Sequence, residues 1–307
     1  MAKNWPLARR RSALQARARI IQEIRRFFNG EGYLEVETPL RIPAPAPESH
    51  IDAVPSGAWF LHTSPELCMK RMLAAGYGRI FQICHCWRDG ERGSLHLPEF
   101  TMLEWYRIDA DYRDMMDDCE ALVRAVAHIM GFGNTIRCMD GEISLNGPWE
   151  RLRVGEAFER YGGMSMEEAL ERDLFDEIMV RDIEPQLGIG KPTFICDYPA
   201  ARGALARLQE NNPVVAERFE LYIGGLELAN AFSELTDAVE QKRRFLAEEE
   251  YRRSQGRPPY PLPGNFLDEL SNMPPSAGIA LGVDRLVMVL LNAESIDEVV
   301  AFTPEEL

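Results

Sequence analysis

The first apolar repeat of the chain has the period of an α-helix. Between residues 8 and 29 the apolar side chains recur mainly at spacings of three, four and seven. They are Leu14, Ile20, Ile21, Ile24, Phe27 and Phe28. One buried face is expected, so the segment predicts an amphipathic helix, which the pair Asn29-Gly30 then ends.

Alternating side chains and turn residues predict a sheet further along. The predicted strands are residues 34–38, 79–88, 99–107, 193–198 and both arms of a hairpin over 218–232. Further helices are predicted to start at Ser64-Pro65, to cover residues 115–129 and to start at Asp237. We expect an α+β fold, with an antiparallel sheet flanked by helices, because the regular alternation of a doubly wound fold is missing. The chain is interpreted as one domain over residues 1–307, with an insertion over about 131–192.

Charge is divided unevenly along the chain. The formal net charge is −15, yet the arm of residues 1–26 holds eight basic residues and one acidic residue. The remaining body is strongly acidic, which disfavours general binding of a polyanion, because phosphates are held by clustered Lys and Arg. The arm is either a solvated basic helix face or the place where an anionic partner docks.

The apolar content predicts a sizeable core, and the pattern of cysteines predicts that it contains no disulfides. With 46% apolar residues the chain can build a sizeable core, and its six cysteines are interpreted as buried reduced thiols. Zinc binding at Cys84-His85-Cys86 is not predicted, because alternate residues of a strand face opposite ways and His85 diverges from both cysteines. The basic start has no following apolar stretch of signal-peptide or membrane length, so we expect a cytoplasmic protein.

One predicted strand carries polar side chains where a core face would be apolar. Phe100, Met102, Glu104 and Tyr106 alternate along residues 99–107 and therefore share one side. A buried carboxylate needs a partner. This side lines either a watery cleft or a pocket in which Phe100 stacks on a base while Glu104 and Tyr106 meet a cation.

Four segments, taken in order, narrow the class of protein. They are GYLEVETP at 32–39, the stretch from Trp87 to the PEFT of 98–101, ELANAFSEL at 227–235 and GIALGVDR at 278–285. The first, second and fourth resemble motifs 1, 2 and 3 of class II aminoacyl-tRNA synthetases, and the third is similar to the lysyl branch. The resemblance covers about residues 14–302 and implies a class II synthetase sheet, ATP and Mg²⁺ as cofactors, and a lysine-like substrate.

The reaction implied by this resemblance is adenylation, in which a carboxylate oxygen attacks the α-phosphorus of ATP. Fixed cations lower the barrier, because negative charge grows on the phosphoryl oxygens. By resemblance, the catalytic residue Arg88 takes the α-phosphate side and the catalytic residue Arg285 takes the γ-phosphate side, and guanidinium groups suit both positions. The implied ATP-binding residues are Arg88, Asp89, Glu91, Leu97, Phe100, Glu227, Leu228 and Arg285.

An amino-acid pocket is implied as well. Its residues are Ser64, Pro65, Glu66, Glu104, Tyr106, Glu234, Ala280 and Gly282. The first three belong to the α-amino end, whereas Tyr106 and Glu234 belong to the far ammonium. Glu227 and Glu234 are the implied metal ligands, since hard oxygens suit Mg²⁺. They are seven residues apart, so a bulge near Asn230 or Ala231 is predicted to bring both into one site.

Two positions depart from the family pattern of motif 2. Gly90 stands where the pattern Arg-x-Glu has its glutamate, and Leu97 stands where many relatives have Asn. Either Asp89 or Glu91 substitutes for the missing nucleotide contact, or adenine recognition rests on the backbone and Phe100.

The length of chain ahead of motif 1 indicates the branch of the family. Lysyl-tRNA synthetases carry an anticodon-binding OB-fold domain of about a hundred residues, which we do not expect here because motif 1 begins at Gly32. The chain resembles the elongation factor P lysine ligases, paralogues that transfer a lysyl or (R)-β-lysyl group to a lysine of elongation factor P. Ser64 and Ala280, where lysyl-tRNA synthetases tend to have Ala and Gly, agree with that branch. The extra methyl of Ala280 suffices for discrimination of about tenfold to a few hundredfold.

The resemblance thus implies an ATP-dependent, AMP-forming ligase for lysine or (R)-β-lysine, with elongation factor P as acceptor and no tRNA partner. Two alternatives stay open: a truncated tRNA-charging enzyme, and a non-catalytic module that senses an amino acid, which Gly90 alone suggests. Motif 1 also implies a homodimer. The apolar stripe from Leu14 to Phe28 packs either between two subunits or within one.

Overall fold

The structure is a computed structural model that describes residues 5–138, 141–203 and 205–307, so Lys3 of the basic arm lies outside the described residues. Its strands are β1 (Leu34–Glu35), β2 (Arg41–Ile42), β3 (Pro55–Ser56), β4 (Trp59–Leu61), β5 (Arg79–Trp87), β6 (Glu99–Ile108), β7 (Thr135–Cys138), β8 (Gly141–Ser144), β9 (Glu150–Arg153), β10 (Thr193–Pro199), β11 (Leu208–Gln209), β12 (Asn212–Ile223), β13 (Leu226–Ser233) and β14 (Ser276–Gly282). Its helices are α1 (Trp5–Arg9), α2 (Arg11–Gly30), α3 (Glu66–Ala74), α4 (Tyr112–Ile129), α5 (Val154–Ala157), α6 (Met166–Glu171), α7 (Phe175–Ile178), α8 (Ala238–Ser254), α9 (Gly264–Leu270) and α10 (Val283–Leu291).

One long sheet runs through the molecule. Within the described residues it has nine strands, in the order β1-β5-β6-β14-β13-β12-β10-β9, with β11 beside β12. The inner pairs are antiparallel, and the parallel pairs, β1 with β5 and β9 with β10, lie at the two edges. The predicted α+β fold with an antiparallel sheet flanked by helices is therefore confirmed.

Most predicted elements appear near their expected bounds, with two differences. The helix predicted over residues 8–29 is divided into the short α1 and the longer α2. The strand predicted over residues 34–38 is much shorter, because only Leu34 and Glu35 pair with β5, and the ladder ends with a bond from Val36 N to Phe81 O of 2.9 Å. The interpretation of residues 131–192 as an insertion stays a prediction.

One face of the sheet is covered by α2, α4 and α10. Phe28 of α2 is fully buried, and its ring stacks on Phe81 of β5 with centroids 4.8 Å apart and contacts Trp105 of β6 at 5.1 Å. Ile20 and Ile24 are fully buried beside it. The apolar stripe of the first helix therefore packs within its own subunit.

Polar bonds hold α2 and α10 to the same strand. Asp284, at the start of α10, accepts a hydrogen bond of 2.7 Å from Thr101 N and pairs with Arg17 Nη1 of α2. Nη2 of the same guanidinium donates to Thr101 Oγ1 at 2.7 Å. This small network fixes the position at which α10 leaves β14.

The opposite face of the sheet is covered only at its ends. Helices α3, α8 and α9 pack at one end around Leu73, Phe245 and Phe266. The chain between β9 and β10 covers the other end with a separate apolar cluster that includes Phe158 and Phe175. An open cleft remains over the middle strands.

The basic arm makes many contacts inside the molecule. Besides Arg17, Arg10 pairs with Glu306 at 2.6 Å, Arg25 pairs with Glu35 at 2.8 Å, and Arg26 pairs with Glu23. These ion pairs reduce the positive charge that the arm offers to another molecule. Throughout the residues that the structure describes, every helix is too short or too polar to cross a membrane.

Candidate active site

The cleft over the middle of the sheet has a volume of about 1030 Å³ and gathers most of the predicted site residues. The predicted residues that line it are Ser64, Glu66, Arg88, Glu91, Leu97, Phe100, Glu104, Tyr106, Glu227, Leu228, Ala280, Gly282 and Arg285. Pro65, Asp89 and Glu234 do not belong to the lining. Pro65 instead caps the start of α3.

Strand register brings the site residues of β6, β14 and β13 into rows. Glu104 lies opposite Ala280, which in turn lies opposite Asn230. The next row contains Tyr106, Gly278 and Phe232. This side of β6 lines an open cleft and buries the carboxylate of Glu104, whereas the contacts with a base and a cation stay a prediction.

The bulge in β13 lies at Leu228, and its predicted place near Asn230 or Ala231 was wrong. Leu221 pairs with Ala229 and Tyr222 pairs with Glu227, so Leu228 is the extra residue. The interruption comes directly after the Gly224-Gly225 turn, where the alternation of β13 has barely begun. It leaves Glu227 on the cleft side together with Asn230 and Phe232.

Glu104 is the centre of the acidic end of the cleft. Its two oxygens accept hydrogen bonds from Ser64 Oγ at 2.6 Å and from Tyr106 OH at 2.7 Å. Burial, reinforced by the charge of Glu66, raises the pKa of Glu104 to about 8. The ionised form is therefore held ready by two hydroxyl donors but needs a cation to be fully stabilised.

Lys70 is a member of this end that the sequence analysis missed. Its Nζ lies 2.5 Å from Glu66 Oε1 and 2.5 Å from Glu234 Oε2, and its side chain is 1% exposed. The spacing of four residues between Glu66 and Lys70 on one helix was the available signal. Burial raises the pKa of Glu234 to about 8 against the opposing charge of Lys70. Glu234 also lies outside the cleft lining, which argues against it as a metal ligand.

Two arginines form the other end of the cleft. The Arg88 guanidinium lies 5.1 Å from the ring centroid of Phe100, and its Nη1 is 3.8 Å from Glu91 Oε1. Arg285 Nη1 donates to Glu227 O at 2.8 Å, and Nη2 lies 2.6 Å from His96 Nε2. Burial, together with Arg285, lowers the pKa of His96, so a neutral imidazole accepts this bond. His96 was not predicted as a site residue.

A second carboxylate stands beside Glu227. Glu220 of β12 also lines the cleft and accepts bonds from Arg218 Nη2 at 2.6 Å and from Tyr198 OH at 2.7 Å. Burial, and next the charge of Glu220, raise the pKa of Glu227. Glu220 was missed, and the structure pairs it with Asn230 across the hairpin.

The departure at Gly90 is explained by backbone geometry. Gly90 has a φ of +74°, which glycine adopts without strain, and a Cβ built there meets nothing within 4 Å. Glu91 lines the cleft, whereas Asp89 is exposed and its backbone N donates to Asp52 O at 2.7 Å. Of the two acidic substitutes considered, the structure brings only Glu91 to the cleft.

The cysteines of β5 lie below the cleft and gain a histidine from another segment. As predicted, Cys84 and Cys86 share a face while His85 points away; the two Sγ atoms are 4.0 Å apart, and His62 Nε2 is 3.9 Å from Cys86 Sγ. That nitrogen also lies 2.7 Å from His85 O. A carbonyl only accepts, so the nitrogen that a metal would need carries a proton.

Fold and cleft together define a class II synthetase catalytic domain, with an antiparallel sheet that presents two arginines and a carboxylate pocket on one face. The comparisons agree: residues 7–306 match the class II tRNA synthetases (D, K and N), and the chain belongs to this family. It is 40% identical to an elongation factor P–(R)-β-lysine ligase of Salmonella gallinarum, with 94% of each chain covered. It is 38% identical to the protein of that name from Erwinia tasmaniensis, covering 98% of this chain and 97% of the relative.

Alanine at Gly278 is expected to disturb the acidic end. A Cβ there would lie 2.2 Å from two ring carbons of Tyr106 and 2.5 Å from Glu234 Oε1. Because both neighbours are buried, we expect a loss of about 1–3 kcal/mol in the free energy of unfolding, measured with denaturant. Gly264→Ala is the matched control, since its Cβ meets nothing within 4 Å. Equal stability of the two variants would contradict this packing.

Proposed function

We propose that the protein activates lysine or (R)-β-lysine with ATP and transfers the aminoacyl group to a lysine side chain of elongation factor P. The observation that carries the proposal is the polarity of the cleft, which has Glu66 and Glu104 at one end, with Glu234 buried behind them, and Arg88 and Arg285 at the other. A diamino acid can direct its ammonium groups to the carboxylates and its carboxylate to ATP. The similarity to elongation factor P–(R)-β-lysine ligases supports the choice of acceptor.

Adenylation requires two anions to approach each other. The amino-acid carboxylate attacks the α-phosphorus, and the bond to pyrophosphate breaks. Arg88 is assigned to the α-phosphate, because its Nε has no hydrogen-bond partner among the described residues and its contact with Glu91 is long. Arg285 is assigned to the γ-phosphate, where its bonds to Glu227 O and His96 hold the guanidinium in place before ATP binds.

Mg²⁺ fits the carboxylates of Glu220 and Glu227. Both are hard oxygen donors that line the same cleft, and burial, followed by the charge of Glu220, raises the pKa of Glu227. Hydrogen bonds from Arg218 and two tyrosines hold Glu220 in position. The ion would neutralise phosphate charge. In this proposal Glu227 keeps its predicted role as a metal ligand, and Glu234 serves the substrate ammonium alone.

The second half of the reaction needs an amine rather than an RNA hydroxyl. The acceptor amine attacks the carbonyl carbon of the adenylate, an amide bond forms, AMP leaves with its bonding electrons, and the amine loses a proton. The body of the chain is acidic, and several arginines of the basic arm are paired within the molecule, which supports a protein acceptor over tRNA. We accordingly propose that the enzyme acts in the cytoplasm.

Arg285→Ala is expected to lower lysine-dependent pyrophosphate exchange by about a hundredfold or more, because a preorganised cation at the developing charge is lost. Arg172→Ala is the matched control, since Arg172 is exposed and pairs only with Glu168 one helical turn away. Circular dichroism should show both variants folded. Near-normal exchange by Arg285→Ala would remove this arginine from the reaction.

Elongation factor P should gain the mass of one lysyl group when it is mixed with the enzyme, ATP, Mg²⁺ and either lysine isomer. Intact-protein mass spectrometry measures this, and a parallel assay follows charging of tRNA, which should remain absent. Exchange without any change in acceptor mass would mean that the adenylate goes elsewhere. Exchange that is absent with every diamino acid would favour the non-catalytic alternative.

We further propose a homodimer built on motif 1, at the end of α2 and along β1. The strand β1 is an edge of the sheet, and nearby Leu34 and Leu40 are 51% and 45% exposed. An unpaired edge with apolar side chains is suited to a second copy. Light scattering at micromolar concentration should give about twice the 34.9 kDa of one chain. A monomer would refute the proposal.

A further inference from the structure

Lys70 is a buried cation behind the amino-acid end of the cleft. It is not part of the cleft lining, yet its Nζ touches Glu66 and Glu234, and it lies 4.9 Å from the ring centroid of Phe232. A single buried ammonium is strongly unfavourable, and a pair that loses one partner leaves an uncompensated charge. Lys70 is therefore held here by its two carboxylate partners.

Each of the two carboxylates, Glu66 and Glu234, has a second oxygen that does not pair with Lys70. Glu234 Oε1 is buried and lacks a hydrogen-bond donor within the described residues, and a Cβ on Gly278, a lining residue, would lie 2.5 Å from it. Glu66 lines the cleft, and Lys70 Nζ donates to its Oε1 and not to its Oε2. The ammonium thus fixes the orientation of both carboxylates and leaves one acceptor of each for another cation.

A doubly charged guest balances the charge at this end when the carboxylates are ionised. Glu66, Glu104 and Glu234 supply three negative charges when ionised, and Lys70 supplies one positive charge. The two that remain match the two ammonium groups of a diamino acid. An amino acid with an uncharged side chain would leave a buried carboxylate unpaired, which is costly.

Resting on the proposed function, we propose that Lys70 is a positioning residue that makes the pocket selective for diamino acids, by pairing with Glu66 and Glu234 and orienting both carboxylates toward the two substrate ammonium groups. It touches no reacting atom. Its effect passes through the two carboxylates.

The proposal predicts how substrate binding depends on pH. The titratable and charged groups that face the cluster are Glu48 from the segment between β2 and β3, Glu66 and Lys70 from α3, Cys84 from β5, Glu104 and Tyr106 from β6, and Glu234 after β13. Lys70 lowers the pKa of Glu234 against the larger effect of burial. Without this cation the pKa rises further, so more of the carboxyl is protonated near neutral pH and fails to attract an ammonium. Raising the pH restores the carboxylate.

Lys70→Met tests the proposal in lysine-dependent pyrophosphate exchange between about pH 6.5 and pH 9. A pKa rise of about one unit corresponds to a KM for lysine about tenfold higher near pH 7, with kcat changed by less than about threefold. The KM difference should shrink toward pH 9. Lys242→Met, on the exposed side of α8, is the matched control and should follow the wild type.

A fall in kcat that accompanies the rise in KM at every pH would overturn the proposal. An unchanged KM would overturn it as well. Where Lys70→Met does not fold, Lys70→Arg carries the test: it keeps a cation between the carboxylates, so KM should stay within about fivefold of the wild type. A folded Lys70→Arg protein with KM raised by about tenfold or more across the whole pH range would also overturn it. Failure of the proposed function is distinguished by the wild type, which would then show no lysine-dependent exchange.

Discussion

The pairing of β6, β14 and β13 is the constraint on which the site depends. It places Glu104, Ala280 and Asn230 in one row and Tyr106, Gly278 and Phe232 in the next. A slip of one residue in any strand would turn its cleft side chains into the core. Gly278 fits because its neighbours, the Tyr106 ring and Glu234, occupy the space in which a Cβ would stand. Small residues on the middle strand thus allow large polar ones on both sides.

Electrostatics divides the cleft because burial affects carboxylates and guanidiniums differently. Carboxylates in a low-dielectric site readily take up protons, as the raised pKa values of Glu104 and Glu234 show, whereas arginine stays charged. The acidic end therefore depends on cations, from Lys70 and from a substrate, to remain ionised. The basic end keeps its charge without help and is held in place by backbone carbonyls and His96.

The loop between β5 and β6 shows how the departures from the family pattern are accommodated. Leu97 is 4% exposed and joins the main core, so its side chain anchors the loop by packing. On the outer side, Arg92 pairs with Asp297 and Glu305 at 2.9 Å, and Ile296 N donates to Ser94 O at 2.8 Å. The loop is thereby fastened to the C-terminal segment, and Glu91 is held at the cleft.

Local pattern was sufficient for long elements such as α2 and β6, since a helical period and a strand alternation are properties of neighbouring residues. The amino-acid sequence by itself also determined the motifs, and with them both arginines and the face shared by Glu104 and Tyr106. The bulge at Leu228 and the contacts of Lys70, His96 and Glu220 were decided by the tertiary structure. Register shifts and long-range ion pairs depend on which segments meet in space, and no short-range pattern specifies that Lys70 of α3 will reach Glu234, 164 residues further along the chain.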